Sequence, residues 1–156
     1  MTDLAFEKMT PSSIVAAELI RELDDELAQR YPLESIHGLH PEEMLSFPGV
    51  FLVGRCDGRA VACGAVRPLD PELRLGELKR MYVRPAMRRR GVARRLLDEL
   101  ERAARELDLR VLRLETGIHQ PEAVALYEGA GYRPIPSYGE YVGNTYSLCY
   151  EKTLDS

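Results

Sequence analysis

The chain reads as one mixed α/β domain over residues 1–156, and three observations predict it. An amphipathic helical stretch stands near the start. A meander of strands follows, marked by an Asp-Gly turn signal. The second half then alternates strand, helix, strand, helix and strand.

The elements follow in order. Leu4 to Met9 suits a short strand. Thr10-Pro11-Ser12-Ser13 reads as a helix start, and Ile14, Val15, Ala17, Leu19, Ile20, Leu23 and Leu27 recur at helical spacing up to Arg30. Tyr31-Pro32 stops that helix, because the residue before proline is pushed out of the helical region. Glu34 to Phe47 is expected to hold a short helix or turn within a connecting loop. Val50 to Arg55 and Ala60 to Val66 flank Cys56-Asp57-Gly58-Arg59, a hairpin signal. A turn at Pro68 to Pro71 is expected to lead into a strand over Leu73 to Val83. Gly91 to Leu107 is an amphipathic helix with Ala93, Leu96, Leu97, Leu100, Ala103, Ala104 and Leu107 on one face. Arg110 to Glu115 alternates as a strand, and Pro121 to Gly129 is a helix with proline in its first turn. Short strands near Tyr132 to Ile135 and Tyr146 to Lys152 complete the pattern.

Composition narrows the function classes. Apolar residues at 45% and charged residues at 29% are those of an ordinary folded domain. No apolar run approaches the ~20 residues that span a bilayer, and the first residues lack the layout of a secretion signal. Cys56, Cys63 and Cys149 have no metal-ligand spacing and form an odd set. With apolar neighbours they suit buried structural thiols and a reducing cytoplasm. A net charge of −4 gives no global field to draw in nucleic acid or an anionic membrane. Against that background, seven arginines crowd between Arg80 and Arg95. A basic patch on an acidic protein points to a small, highly charged ligand.

That patch has a definite setting. Glu77-Leu-Lys-Arg-Met-Tyr-Val83 forms a strand, Arg84 to Arg90 a tight basic loop, and a helix starts at Gly91. The first amides of a helix lack intrahelical partners and stand at the positive end of its dipole, so a phosphate there accepts several hydrogen bonds at once. Neither a nucleotide P-loop nor a triple-glycine dinucleotide fingerprint is present. A solvated arginine-rich turn is the plainer alternative.

Arg88-x-x-Gly91-x-Ala93 resembles the Gln/Arg-x-x-Gly-x-Gly/Ala signature of the GNAT acetyltransferases. Downstream, Gln120-x-x-Ala123-Val-Ala-Leu-Tyr127-x-x-x-Gly131-Tyr132 is similar to that family's Asn-x-x-Ala-x-x-Leu-Tyr-x-x-x-Gly-Phe segment. The resemblance implies a central, mostly antiparallel twisted sheet with one splayed parallel strand pair and about four helices. It implies acetyl-CoA as cosubstrate, without a metal. The pyrophosphate would meet Arg88, Arg89, Arg90, Gly91, Val92, Ala93 and Arg94, and the pantetheine arm would run along Met81, Tyr82 and Val83. Gln120 stands where the family commonly has an asparagine. His119 beside it suits a loop residue better than a catalyst.

Acetyl transfer to an amine needs a base for the ammonium, a donor for the tetrahedral oxygen and a proton for the departing thiolate. The resemblance makes Glu77 the candidate base; a carboxylate paired with Lys79 or an arginine is its alternative. Glu115 is the rival, as a second base or a ligand of the substrate ammonium. Tyr127 is the candidate acid, or else a core tyrosine, and a backbone amide near Val83 would polarise the thioester carbonyl. The acceptor is expected to be a small-molecule amine met by Glu34, Tyr138 and Tyr141. The run from Pro136 to Tyr146 would form either an aromatic, acidic wall for a small cation or a packed turn. A homodimer through an exposed late strand is compatible with the resemblance. The competing expectation is a module of the same fold that binds acetyl-CoA without catalysis.

Overall fold

The computed structural model describes residues 3–155. Among these residues seven strands form one sheet: β1 (Leu4–Met9), β2 (Val50–Cys56), β3 (Arg59–Asp70), β4 (Leu75–Val83), β5 (Val111–Gly117), β6 (Arg133–Ile135) and β7 (Ser147–Thr153). Their spatial order is β1-β2-β3-β4-β5-β7-β6. Every neighbouring pair is antiparallel except β4 with β5. Among the described residues four α-helices accompany them: α1 (Ile14–Arg30), α2 (Pro41–Leu45), α3 (Val92–Glu106) and α4 (Pro121–Gly129). The mixed α/β class, the single parallel pair and the helix number are those the sequence led us to expect.

Local chemistry fixes the boundaries. The Ser13 hydroxyl caps α1 by accepting from the Ala16 amide at 3.3 Å. Asp57 and Gly58, with φ of 53° and 82°, make the two-residue turn between β2 and β3. One boundary differs from the sequence expectation. Pro68 does not open the next turn; β3 runs through it to Asp70, with Pro68 opposite Gly76 and the register shifting just beyond. A proline is tolerated at such a bulge because the ladder is already interrupted there. The chain reverses later, at Pro71 to Arg74, where Arg74 takes a φ of 52°.

The sheet separates two cores, as the alternation of side chains along strands requires. On one face, Ala16, Leu19 and Leu23 of α1 pack on Phe51, Val53, Cys63, Ala65 and Tyr82. On the other, Leu96, Leu97 and Leu100 of α3 meet Leu52, Leu78, Leu112 and Leu114. Each of those helix leucines is fully buried, worth about 1.5–3 kcal/mol apiece. Ile14, counted in the apolar stripe of α1 from spacing alone, is instead exposed, and Ala16 fills the core position. Cys63 and Cys149 are buried and Cys56 half-buried, all as free thiols. Burial pushes the Cys63 thiol up to about 12, which leaves it protonated and inert. No helix among the described residues is long and apolar enough to cross a membrane.

Candidate active site

The site begins with the way β4 and β5 part. They pair at only three positions, Leu75 with Val111, Gly76 with Leu112 and Glu77 with Arg113. Beyond Glu77 the two strands run on to Val83 and Gly117 without pairing, which opens a cleft at their C-terminal ends. A β-bulge sharpens the split. Cys63 pairs with Tyr82 and Ala65 with Lys79, so Arg80 and Met81 both oppose Gly64, and Arg80 takes a φ of 57°.

Three cavities with shared lining residues occupy this cleft among the described residues. The widest, about 470 Å³, is lined by Met81, Tyr82 and Val83 of β4, by Arg88, Arg89, Gly91, Val92, Ala93 and Arg94, and by Gln120 and Tyr127 from the α4 side. Gly91 caps α3 with a φ of 78°, a left-handed conformation that a side chain disfavours. A smaller cavity of about 100 Å³ shares Met81, Gln120, Ala123 and Tyr127 with the first. It adds His37, Lys79, Arg80, Glu115, Thr116 and Tyr141. The third, about 40 Å³, shares His37, Glu115 and Gln120 with the second and is walled by Tyr31, Ser35 and Tyr146. Tyr127 thus borders one junction and Glu115 the other.

The arginines divide into two groups. Three of them are bound inward by the acidic face of α1. Arg80 pairs with Asp24, Arg84 with Glu18 and Glu22, and Arg88 with Glu26 at 2.7 Å. Arg88 also donates from Nε to the Val83 carbonyl at 2.9 Å. Its guanidinium braces the cleft, so it is less available to a ligand than its sequence position implied. Arg89 is exposed on the rim of the wide cavity. Arg94, also on that rim, is held only by an exposed pair with Asp98. Arg90 is exposed but does not line the cavity.

Glu77 lies 1% exposed with both carboxylate oxygens engaged. Oε1 receives Arg67 Nη2 at 2.9 Å, and Oε2 receives the hydroxyls of Tyr138 at 2.6 Å and Tyr141 at 3.1 Å. Arg67 is held in turn by Glu43. Glu77 is absent from the walls of all three cavities. Glu115 is placed differently. It is half-buried, borders two cavities and is held at Oε2 by the Ser147 hydroxyl at 2.7 Å. Burial raises its carboxyl to about 7, against partial opposition from that hydrogen bond and from Lys79.

Tyr127 is buried, and its hydroxyl reaches the Met81 sulfur at 3.4 Å. Burial, reinforced by Glu115, holds this phenol well above its usual range, so it stays a donor at any ordinary pH. Tyr138 and Tyr141 do come close to the site, but their rings already face cations of the protein. Arg113 covers Tyr138 at 5.3 Å and Lys79 covers Tyr141 at 5.6 Å. Glu34 is exposed on a single helical turn and lines none of the cavities. That turn points it outward and brings Ser35, Ile36 and His37 inward instead. His37 Nδ1 lies 2.9 Å from Glu140 and its ring is edge-on to Tyr141. The residues that spacing did not single out are Tyr31, Lys79 and Ser147. The Tyr31 hydroxyl accepts from the His119 amide at 3.0 Å and meets Gln120 Oε1 at 3.2 Å, anchoring the loop before α4.

A model of the acetyltransferase (GNAT) family matches residues 16–132. The chain belongs to the GNAT acetyltransferase family. It is 38% identical over 154 residues to the IAA acetyltransferase of Azospirillum brasilense, covering 99% of this chain and 100% of that one. A Klebsiella pneumoniae protein provisionally assigned as an acyl-CoA N-acyltransferase superimposes with a TM-score of 0.82 at 33% identity, covering 97% and 98% of the two chains. The fold also matches a GNAT acetyltransferase of Elizabethkingia anophelis solved with acetyl-CoA bound, at a TM-score of 0.72 and 15% identity over 99% and 100% of the chains. Among GNAT acetyltransferases, the cleft between β4 and β5 and the loop before α3 are this chain's candidate donor site.

Proposed function

We propose that the protein transfers an acetyl group from acetyl-CoA directly to the nitrogen of a small-molecule amine, both substrates being held at once. The observation that carries this reading is the order of the three cavities: a wide one at the α3 N-terminus, a central one, and a narrow one, with Tyr127 and Glu115 at the joints. The pyrophosphate would take the first amides of α3, with charge from Arg89 and Arg94. The arm would follow Met81 to Val83, bringing the thioester to the joint beside Tyr127. The wide cavity and its helix terminus suit the acetyl-CoA that the Elizabethkingia protein binds.

Glu115 is the base in this reading, and Glu77 has a positioning role. A carboxylate whose two oxygens already accept from Arg67, Tyr138 and Tyr141 has little capacity left for a proton from substrate. Glu115, with a carboxyl near 7 and two cavities beside it, is matched to take one at neutral pH. It removes a proton from the ammonium, and the freed lone pair attacks the thioester carbon. The Met81 amide, outside the ladder register at the bulge, donates to the carbonyl oxygen as charge builds there. The C–S bond then breaks. The Tyr127 hydroxyl, which already meets a sulfur atom in Met81, donates its proton to the departing thiolate, and the second nitrogen proton passes to the tyrosinate so formed, which restores the phenol. No covalent enzyme intermediate is needed, which agrees with three protonated or half-buried cysteines away from the cavity walls.

The test is acetyl-CoA turnover, followed by thiol release, against amino acids, polyamines, aminoglycosides, aryl amines and short peptides. Release on a small amine with the acetyl group recovered on nitrogen is the expected result. Cofactor binding without turnover on any amine, unchanged by Tyr127→Phe, would instead assign the chain a non-catalytic acetyl-CoA-binding role.

A further inference from the structure

The acceptor-side cavity holds two buried cations whose partners within the protein leave donors unused. Lys79 is 6% exposed and borders the central cavity. Its ammonium donates to the Tyr141 hydroxyl at 3.0 Å, and no carboxylate lies within 4.0 Å of it among the described residues. That hydroxyl in turn donates to Glu77, so one of the three ammonium donors is used and two are not. Arg80 borders the same cavity with a side chain 3% exposed. One end of its guanidinium is bound by Asp24. Its Nε is the one buried side-chain polar atom among the described residues with no hydrogen-bond partner.

A buried donor without an acceptor costs about 1–3 kcal/mol, and a buried ammonium with no carboxylate in direct contact costs more. Consecutive strand residues normally project to opposite faces, yet the bulge at Arg80 lets both cations border one cavity. The nearby carboxylate that could have neutralised them, Glu77, is already saturated.

Building on the amine-acetylation reading, we infer that the acceptor carries a carboxylate as well as its amine, and that Lys79 and Arg80 receive that carboxylate while Glu115 faces the amine. The substrate class is an amino acid or a similar amine-bearing acid. The polarity of the cavity follows: the acceptor's positive end lies toward Glu115 and its negative end toward the bulge of β4. Lys79 is a specificity residue in this arrangement. Its removal changes KM and selectivity, and leaves the proton transfers to Glu115 and Tyr127.

The experiment compares kcat/KM of the wild-type protein for amine-bearing acids, their primary amides and the amines lacking the carboxyl carbon. The expected result is a preference of about 10²-fold for the acid, because a site built to bind a charged group rejects the analogue that leaves it unpaired. Lys79→Met, which keeps the volume, is expected to erase most of that preference through KM. Its thermal midpoint should be no lower than that of the wild type, since no internal ion pair is lost. Equal turnover of acid, amide and simple amine would overturn the inference and leave the amine reading standing. Loss of kcat on all three acceptors in Lys79→Met, with KM unchanged, would also overturn it and make Lys79 a proton acceptor. Absence of turnover on every amine would remove the amine reading and this inference together.

Discussion

The proposed cofactor half and the proposed acceptor half of the cleft are built by different means. The cofactor half is local: β4, the eight-residue segment from Arg84 to Gly91 and the first turn of α3 form an unbroken run from Met81 to Arg94, and one cavity touches most of it. The acceptor half is assembled from far-separated segments, with Leu23 and Leu27 on α1, His37 on the following loop, Lys79 and Arg80 on β4, Glu115 and Thr116 on β5, and Tyr141 and Tyr146 before β7. A backbone-built site depends on conformation and tolerates side-chain change. A network-built site depends on its members jointly, since its buried polar groups take their partners from distant segments.

Variants can break the two halves separately. Glu115→Gln is expected to have the largest effect, lowering kcat about 10²–10⁴-fold while acetyl-CoA binding, measured calorimetrically, is unchanged. The same variant has a stability signature. The folded protein holds the Glu115 proton more tightly than the unfolded chain does. The site's contribution to stability is thus complete below about 4.5 and lost as pH rises through about 7. Glu115→Gln should accordingly be more stable than wild type in denaturation at pH 8 and equal to it at pH 4. Tyr127→Phe is expected to lower kcat about 10²-fold with the KM for acetyl-CoA held, as for an acid that acts only on the leaving group. Glu77→Gln removes a buried charge from Arg67, which keeps Glu43. Chemical denaturation should show a loss of about 1.5–3 kcal/mol, with residual kcat well above that of Glu115→Gln. Gly91→Val is the mildest. Its strain at a φ of 78° should raise the KM for acetyl-CoA about tenfold and leave acceptor selectivity intact, confirming that the halves are separable.

The same contrast explains what the sequence made legible. The α3 start and the Asp57-Gly58 hairpin rest on contiguous signals readable from spacing and turn chemistry, whereas the splayed strand pair follows from the family resemblance. Glu77 and Glu115 could not be separated that way, because their difference lies in Arg67, Tyr138, Tyr141 and Ser147, up to 64 residues distant. The sequence places Glu34 in the loop after α1 as a candidate acceptor contact, but a single helical turn points it outward and brings His37 in. The arginine patch was overread as free charge. Glu18, Glu22 and Glu26 recur at intervals of four on α1, a stripe on one helix face whose meaning becomes clear once it binds Arg84 and Arg88. The sequence places a turn at Pro68 to Pro71, but β3 continues through Pro68 because of a bulge that only the register with β4 reveals.

The assignment of Glu115 as base is the claim on which the acceptor half rests, and a pH profile tests it most directly. For wild type, kcat/KM on a reactive amine should rise with pH as a single ionisation near 7 and then level off, because the carboxylate is the working form. In Glu115→Gln that limb should disappear, whereas Glu77→Gln should retain it. Survival of the limb in Glu115→Gln, or its loss in Glu77→Gln alone, would contradict the account and return the base to Glu77 or another group.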